Sequence, residues 1–428
     1  MAGFMIAAPR SGSGKTMVTC GILELLKRKQ KNPFSYKCGP DYIDGLFHRK
    51  VLGIEGGNLD SFFEQPQDMR EKYAAVSETH FPVVEGVMGY FDGLGGDTTA
   101  ASSWEVADIL NLPVVLVVDA KGASLSLAAL IKGFQVFQGE SQSSQANKNG
   151  NHIQAVILNR ISPMLYPRMK AVIEKETGVL VAGYVPELDF WQVGSRHLGL
   201  VLPGEIKNLQ EQMRQLGDCL EKTLDVDALL KLGEKADADV LGSVTVTADG
   251  SSQKCEAQKN ADLVLQNQFA GEKISHSVIR IRLGVAWDEA FCFYYRDNLE
   301  FLEKQGVQIV QFSPVHDKHL PDDLDGLLLG GGYPELYAKA LEENETIRNE
   351  IRRKAEEDMP ILAECGGYLY LLKELEDENG TGYEMAGVFS GKGYKKGKNS
   401  HFGYITVQTE KDSLYLKAGE TIKGHEFH

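Results

Sequence analysis

The chain has 428 residues, more than one ordinary hydrophobic core supports, so two domains are expected. Its charged fraction of 25% is typical of a globular protein, and its net charge of -15 argues against a surface for nucleic acid or an anionic membrane. No apolar run approaches the roughly 20 residues that span a bilayer, and the start lacks the basic segment of a signal peptide. The six cysteines contain no C-x-x-C pair, which argues against a disulfide framework or a zinc site and favours the cytoplasm.

A glycine-rich loop lies between an apolar run and a helical pattern at the start of the chain. The apolar run spans residues 3–8, and the loop reads P-R-S-G-S-G-K-T over residues 9–16. This order predicts a P-loop whose backbone amides hold phosphates, with Lys15 reaching the β- and γ-phosphates and Thr16 ligating Mg²⁺. Pro9 stands where the usual pattern has glycine. The predicted ATP-binding residues are Gly12, Ser13, Gly14, Lys15 and Thr16.

Carboxylates follow two further extended segments of this half. Asp41 and Asp44 lie in a Gly-Pro turn, and Glu85 closes the apolar segment 81–85. A solvated acidic turn explains the first pair on its own, but beside a P-loop either aspartate could hold Mg²⁺ or orient a substrate. Glu85 is expected at the carboxyl end of a strand, where open α/β sheets present residues to ligands. The candidates for Mg²⁺ ligation are therefore Thr16, Glu85 and either Asp41 or Asp44.

Near-continuous Val, Ile and Leu runs alternate with helical patterns over the rest of the N-terminal half. Strands are predicted over residues 112–119, 153–159 and 180–185, and helices over 123–137 and 167–177. Such runs are typical of strands buried on both faces, which predicts an α/β fold with a doubly wound parallel sheet. The basic pair Arg196 and His197 lies between glycines and could meet the carboxylates of a substrate, although a capping role explains it equally well.

Composition divides the chain into two predicted domains. Residues 1–232 form an ATP- and substrate-binding domain that ends in a helical pattern over 206–232. Residues 233–277 are rich in Ser, Ala, Asp, Gln and Lys, which predicts a linker with a short helix near 261–269. The alternation of strand and helix patterns then resumes, which predicts a second α/β domain over 278–428.

A single cysteine stands at a predicted strand-to-helix turn of the second domain. Cys365 follows an apolar run, Gly366 and Gly367 come next, and a helical pattern begins at once. This is the geometry of a nucleophile elbow, and the start of the helix is expected to favour the thiolate. A buried structural cysteine is the alternative, but the double glycine at the turn favours a nucleophile.

Two other features suit a nucleophilic cysteine. Three consecutive glycines follow the predicted strand 325–329, and their amides can approach a ligand closely enough to form an oxyanion hole. The predicted oxyanion donors are the amides of Gly331, Gly332 and Gly366. A base is also needed, and the candidates are His401, His425 and His428, each of which taken singly is more often a surface histidine.

Together these stretches resemble the cobyrinic acid a,c-diamide synthases, in which a dethiobiotin-synthetase-like ATP domain precedes a class I glutamine amidotransferase domain. The resemblance covers essentially the whole chain and rests on S-G-S-G-K-T, K-C-G-P-D-Y-I-D, N-L-D-S-F-F, V-E-G-V-M-G-Y-F-D-G, G-G-G-Y-P-E, A-E-C-G-G-Y and G-H-E-F-H. It implies that Cys365 is the nucleophile and His428 its activating base. It also implies that Thr16, Asp41 and Glu85 ligate Mg²⁺, with Asp44 as a substrate contact. The family pattern continues beyond His428, so the C-terminus looks truncated.

The resemblance implies two coupled reactions and small-molecule partners only: ATP, L-glutamine and a cobyrinate-type tetrapyrrole, with Mg²⁺ as cofactor. Glutamine supplies ammonia, and ATP activates the a and c side-chain carboxylates that become amides. One alternative is nickel-sirohydrochlorin a,c-diamide synthase, and another is a regulatory P-loop ATPase with a degenerate glutaminase domain, against which intact Cys365 argues. The sequence does not separate cobyrinate from hydrogenobyrinate or nickel sirohydrochlorin, and it leaves a homodimer open.

Overall fold

The computed structural model describes residues 3–137, 152–191, 195–196, 199–200, 208–241, 281–396 and 402–427. The chain divides into two compact units, the first made of Met1–Gly242 with Lys396–His428 and the second of Ser243–Lys395. Outside the described residues lie the helix expected near 261–269 and the candidate residues His197, His401 and His428. Within the described ranges, no helix combines the length and apolar character needed to cross a membrane.

The first unit is built on a parallel sheet of seven strands. In chain order the strands are β1 (Phe4–Ala7), β2 (Pro33–Cys38), β3 (Gly56–Leu59), β4 (Phe81–Glu85), β5 (Val114–Asp119), β6 (Ile153–Asn159) and β7 (Leu180–Val185). Their order across the sheet is β3-β2-β4-β1-β5-β6-β7, and each neighbouring pair is parallel. Strands β1, β2 and β4 are buried along their whole length, as expected of apolar strands in a sheet with both faces covered.

Helices connect these strands. They are α1 (Lys15–Arg28), α2 (Ile43–Phe47), α3 (Pro66–Ser77), α4 (Ser103–Leu110), α5 (Ser126–Val136), α6 (Tyr166–Thr177), α7 (Leu209–Thr223) and α8 (Val226–Leu241). A π-helical turn, His48–Leu52, continues α2, and a 3₁₀ turn spans Leu94–Gly96. The two-residue strands β8 (Ser195–Arg196) and β9 (Gly199–Leu200) form a short hairpin. The doubly wound parallel sheet is the one that the alternating pattern predicts.

The helical pattern predicted over 206–232 contains two helices. The first, α7, ends at Thr223, and the second, α8, continues to Leu241, beyond residue 232. Leu224 is extended and forms an isolated bridge with Gly183 of β7. A side chain at Gly183 would come within 2.4 Å of the Thr223 carbonyl oxygen, so glycine allows this close approach. The break therefore depends on a tertiary contact that helix periodicity does not report.

The second unit has a smaller parallel sheet. In chain order the strands of the whole unit are β10 (Arg282–Ala286), β11 (Phe291–Phe293), β12 (Gln308–Phe312), β13 (Gly326–Leu329), β14 (Gly331–Gly332), β15 (Ile361–Ala363), β16 (Leu372–Glu376), β17 (Gly382–Glu384) and β18 (Phe389–Gly393). Its helices are α9 (Arg296–Lys304), α10 (Ala338–Glu343), α11 (Glu345–Glu356) and α12 (Gly366–Leu371), with a 3₁₀ turn at Pro334–Leu336. The parallel strands run in the order β12-β10-β13-β15, and Phe291, Leu329, Ile351 and Tyr370 are buried in the core of the unit.

The last described strands belong to the first unit. β19 (Phe402–Gln408) and β20 (Thr421–Phe427) form an antiparallel hairpin, although composition alone places them with the second domain. The Tyr404 hydroxyl donates to Asp60 Oδ2 over 2.9 Å, and the Tyr404 ring lies 4.3 Å from the ring of Phe62. The Lys423 ammonium donates to the Phe62 carbonyl over 2.8 Å. The hairpin therefore packs on the segment that follows β3.

Candidate functional site

The glycine-rich loop has the backbone that its sequence predicts. Gly12 and Gly14 have φ values of 76° and 95°, in the left-handed region that favours glycine. A side chain at Gly14 would meet the Asn159 amide nitrogen at 2.3 Å. Asn159, the last residue of β6, donates to the Ser13 carbonyl over 2.8 Å. The last residue of β6 thus holds the loop that follows β1 in place. The sequence reasoning missed this contact.

The two reactive residues of the loop are tied to the end of β4. Lys15 begins α1, is buried, and donates through its ammonium group to the Met88 carbonyl. Burial, together with nearby Lys37, lowers the pKa of Lys15 to about 8. The Thr16 hydroxyl donates to Glu85 Oε1 over 2.6 Å. The structure therefore brings together the predicted phosphate-binding lysine and two of the predicted metal ligands.

A buried lysine that the sequence reasoning missed stands among the predicted carboxylates. Lys37 Nζ lies 2.5 Å from Asp44 Oδ2, 2.9 Å from Glu85 Oε1 and 3.7 Å from Asp41 Oδ2. Lys37 and Glu85 are paired residues of the neighbouring parallel strands β2 and β4. The place of Lys37 in the K-C-G-P-D-Y-I-D stretch is the signal that could have found it.

Burial and charge act against each other in this cluster. Burial opposes the charge of Lys37, but Asp44 and Glu85 hold its pKa well above the usual value. Burial raises the pKa of Glu85 to about 7 despite Lys37, and burial with nearby Asp44 raises that of Asp41 to about 6. Lys37 overcomes burial at Asp44 and lowers the pKa of that carboxyl. The cluster is therefore an ion pair of Lys37 with Asp44, next to a glutamate that can exchange a proton near neutral pH.

The oxygen donors of the cluster fit Mg²⁺ in part. Hydroxyl and carboxylate oxygens are the ligands that Mg²⁺ prefers, and those of Thr16 and Glu85 are in contact. Glu85 Oε2 is buried and has no hydrogen-bond partner in the described part of the chain. Asp41 Oδ1, in contrast, accepts from the amides of Ile43 and Asp44 over 2.9 and 3.2 Å. Among the described residues no three His, Cys, Asp or Glu side chains form a metal-binding group, so a site here would also use the Thr16 hydroxyl.

The basic pair predicted to contact substrate is only partly described. Arg196 pairs through its backbone with Gly199 in the β8-β9 hairpin. The side chain of Arg196 and all of His197 lie outside the described part of the structure. Their role as substrate contacts stays a prediction.

Cys365 lies at a strained turn between β15 and α12. Its φ and ψ are 49° and -112°, a conformation that side-chain-bearing residues rarely adopt, and its side chain is exposed. The Glu364 amide donates to the Leu329 carbonyl and the Gly367 amide to the Gly330 carbonyl, each over 2.9 Å. A side chain at Gly367 would lie 2.0 Å from the Leu329 oxygen, so only glycine fits this crossing. The turn therefore presents the thiol to solvent at the end of the sheet.

Two of the three predicted oxyanion donors face the sulfur. The amides of Gly332 and Gly366 lie close enough to the Cys365 sulfur to lower the pKa of the thiol. Gly331 lies beside them, since a Cβ added there would be 3.4 Å from that of Cys365. Although the side chain is exposed by surface area, the protein packed around it removes part of the hydration of a thiolate and so raises the pKa of the thiol. Both amides lower this pKa, and nearby Glu335 raises it further. The Gly366 amide at the start of the helix therefore acts in the expected direction, but loss of hydration outweighs it.

A tyrosine links the strand ends below this turn. The Tyr294 hydroxyl donates to the Ala286 carbonyl over 2.5 Å and accepts from the Gly330 amide over 2.8 Å. The Trp287 ring stacks on Tyr294, with 5.0 Å between ring centroids and 10° between planes. Tyr294 thus holds the end of β10 and the start of the glycine run together, and Trp287 covers it. Sequence reasoning singled out neither role.

Known proteins match both halves of the chain. Residues 4–200 match the family described as CobQ/CobB/MinD/ParA nucleotide binding domain, and residues 282–428 match the CobB/CobQ-like glutamine amidotransferase domain. These matches and the observed sheets confirm the predicted fold class.

Curated relatives named cobyrinate a,c-diamide synthase match nearly the whole chain, as three of them show. The one from Caldanaerobacter subterraneus subsp. tengcongensis is 37% identical over 99% of this chain and 85% of its own length. Those from Streptococcus sanguinis and Salmonella typhimurium are 38% and 37% identical, over 99% of this chain and 86% and 85% of theirs. Such identity over nearly the whole chain confirms the resemblance, and the chain belongs to the cobyrinate a,c-diamide synthase family.

Proposed function

We propose that this chain amidates the a and c side-chain carboxylates of cobyrinate, with glutamine as nitrogen donor and ATP as the activating cosubstrate. The observation that carries the proposal is an exposed Cys365 whose sulfur meets the amides of Gly332 and Gly366. The same chain holds a P-loop whose Thr16 contacts a buried glutamate. One half can therefore release ammonia, and the other can activate a carboxylate to receive it.

In the glutaminase reaction the Cys365 sulfur attacks the side-chain amide carbon of glutamine. The amides of Gly332 and Gly366 then donate to the oxyanion, and loss of one such donor typically costs about 3 kcal/mol of transition-state stabilisation. Because the pKa of the thiol is raised, a base must take its proton and pass it to the leaving ammonia. We propose His428 for that role, as the family resemblance implies. Water then cleaves the glutamyl thioester and frees the thiol.

In the synthetase reaction the loop amides and Lys15 bind the ATP phosphates. Thr16 and Glu85, with Asp41, would hold Mg²⁺, which when bound supplies positive charge against the phosphates. Lys37 offsets part of the negative charge of Asp44 and Glu85, so these carboxylates repel the anionic substrates less. The substrate carboxylate attacks the γ-phosphorus and releases ADP, and ammonia then displaces phosphate from the acyl phosphate to leave an amide.

The corrin substrate is proposed from the names of the relatives. Mass spectrometry after incubation with ATP, glutamine and either cobyrinate, hydrogenobyrinate or nickel sirohydrochlorin tests it. We expect two carboxylate-to-amide conversions on cobyrinate. Conversion of nickel sirohydrochlorin alone would transfer the chain to that sister activity. Glutamine hydrolysis without amidation of any macrocycle would contradict the whole proposal.

The cosubstrates also bear on compartment and assembly. ATP and glutamine are cytoplasmic metabolites, so we propose a cytoplasmic enzyme with small-molecule partners. The net charge of -15 fits the absence of nucleic acid from that set. A homodimer stays open, and light scattering of the purified chain decides it.

A further inference from the structure

Two buried polar atoms face each other behind the P-loop. His48 Nε2 lies 3.8 Å from Glu85 Oε2, and neither atom has a hydrogen-bond partner among the described residues. His48 is 1% exposed and Glu85 0%. Buried polar groups are almost always hydrogen-bonded, so two unpaired atoms at one place need an explanation. Their separation is slightly longer than a hydrogen bond, and a small rotation of either side chain would close it.

The other ring nitrogen of His48 has a partner. Ser35 Oγ lies 2.7 Å from His48 Nδ1, within the buried interior. A neutral imidazole carries one proton, on one of its two ring nitrogens, and the other nitrogen accepts. When the serine hydroxyl donates to Nδ1, that proton is on Nε2, which faces the carboxylate. An ionised Glu85 requires this tautomer, because an unprotonated Nε2 would place two lone pairs against each other.

Among the described residues, Thr16 and Lys37 both hold Glu85 through the same oxygen. Its Oε1 accepts from the Thr16 hydroxyl over 2.6 Å and from the Lys37 ammonium over 2.9 Å. A carboxylate held at one oxygen can still rotate about its terminal bond. A donor at Oε2 would stop that rotation and keep Oε1 directed at Thr16.

We propose that His48 is a positioning residue for Glu85, donating from Nε2 to Oε2 in the ATP-bound enzyme. The inference rests on the proposed ATP site, in which Glu85 and Thr16 hold Mg²⁺. His48 begins the π-helical turn directly after α2, which carries Asp44, so one short segment supplies contacts to both Lys37 and Glu85. Single π turns are frequent at functional sites. Substitution of a residue that orients a metal ligand typically lowers metal affinity by about 10–100-fold.

The test compares nucleotide binding with and without Mg²⁺ in three variants of the full chain. His48→Leu removes the donor, His48→Gln keeps an N–H in its place, and Glu85→Gln weakens the proposed ligand itself. Binding is measured by titration with a fluorescent ATP analogue, and thermal melting checks that each variant folds. We expect His48→Leu to weaken binding about tenfold with Mg²⁺ and to leave it unchanged with EDTA, and His48→Gln to recover most of the loss.

Each outcome separates the two levels of the proposal. If Glu85→Gln binds Mg²⁺ and nucleotide as the wild type does, the assignment of Glu85 as a metal ligand fails. If Glu85→Gln loses the Mg²⁺ effect while His48→Leu keeps it, the inference about His48 alone is wrong. Should His48→Leu not fold, ¹⁵N NMR of the histidine rings in the wild-type complex with Mg²⁺ and nucleotide decides. The Nε2–H tautomer supports the proposal, and the Nδ1–H tautomer overturns it.

Discussion

The two candidate sites of this chain hold their reactive groups by different means. Around Lys37 the functional atoms belong to buried side chains, with Asp44 3% and Glu85 0% exposed. Around Cys365 the side chain is exposed, and its partners are the backbone amides of Gly332 and Gly366. One site depends on charges paired in the interior, and the other depends on the path of the main chain.

The difference implies different sensitivities. A buried charge that loses its partner leaves another charge without solvent or counterion, so substitutions there should affect folding as well as activity. Backbone donors survive most side-chain changes, so the thiol site should tolerate loss of its nucleophile without loss of structure. Three substitutions test this contrast.

The largest effect is expected for Cys365→Ala. Loss of a nucleophile typically lowers turnover by about 10⁴-fold or more, and here it should abolish glutamate release. Amidation driven by added ammonium should persist, because the P-loop site is untouched, and the melting temperature should stay near that of the wild type. Cys219→Ser is the matched control and should keep glutaminase activity. Glutamate release by Cys365→Ala at the wild-type rate would remove the thiol from the mechanism.

Lys37→Met should affect both folding and activity. It leaves the carboxylates of Asp44 and Glu85 buried without their cation, and breaking such a pair typically costs about 3–5 kcal/mol of folding stability. Chemical denaturation measures this loss, and amidation should fail with either glutamine or ammonium. Lys373→Met, at an exposed position of β16, is the control. Unchanged stability of Lys37→Met would mean that the cluster is hydrated or differently paired, and the contrast between the sites would disappear.

A smaller, pH-dependent effect is expected at Asp60, a buried carboxyl that accepts hydrogen bonds from Phe62 and Tyr404. Burial raises its pKa from 3.8 to about 6, although the Tyr404 hydroxyl and the Phe62 amide both donate to it. A raised carboxyl pKa means that stability is fully present below about pH 4 and is lost as the pH rises through about 6, by at most ~3 kcal/mol.

Asp60→Asn should therefore gain stability relative to the wild type between pH 4 and pH 7. Thermal melting of both proteins across this range measures the gain, and Glu78→Gln, at an exposed carboxyl, is the control. A difference between Asp60→Asn and the wild type that does not change with pH would show that Asp60 ionises as an exposed aspartate does.

The order of strand, glycine and helix patterns along the sequence was enough to predict the P-loop and the turn at Cys365. It did not predict which residues from other strands contact them. The P-loop and the turn at Cys365 each follow from a strand pattern, glycines and a helix pattern within a few residues. The contact of Lys37 with Glu85 depends on β2 lying beside β4, and that of Asn159 with Ser13 depends on the position of β6. Sheet order is a property of the whole chain, so a short motif cannot report it.

The state of the thiol could not be predicted for a related reason. Glycine amides and a helix start can be read from the residues around 365, and both lower the pKa of a thiol. Desolvation, which wins here, depends on how the rest of the second unit surrounds the turn. The role inferred for His48 could not be predicted either, because it depends on Glu85, which lies on a strand distant in sequence.

The hairpin β19-β20 is the last part of the first unit to be synthesised. Its strands are translated after every residue of the second unit, yet they cover Phe62 and Phe63 near the start of the chain. During synthesis, Phe62 and Phe63 therefore stay without the cover of this hairpin until residues 402–427 leave the ribosome. Any attempt to express the nucleotide-binding part alone by cutting before residue 281 would leave the same surface bare, and a graft of residues 402–427 onto the truncated piece should restore its solubility.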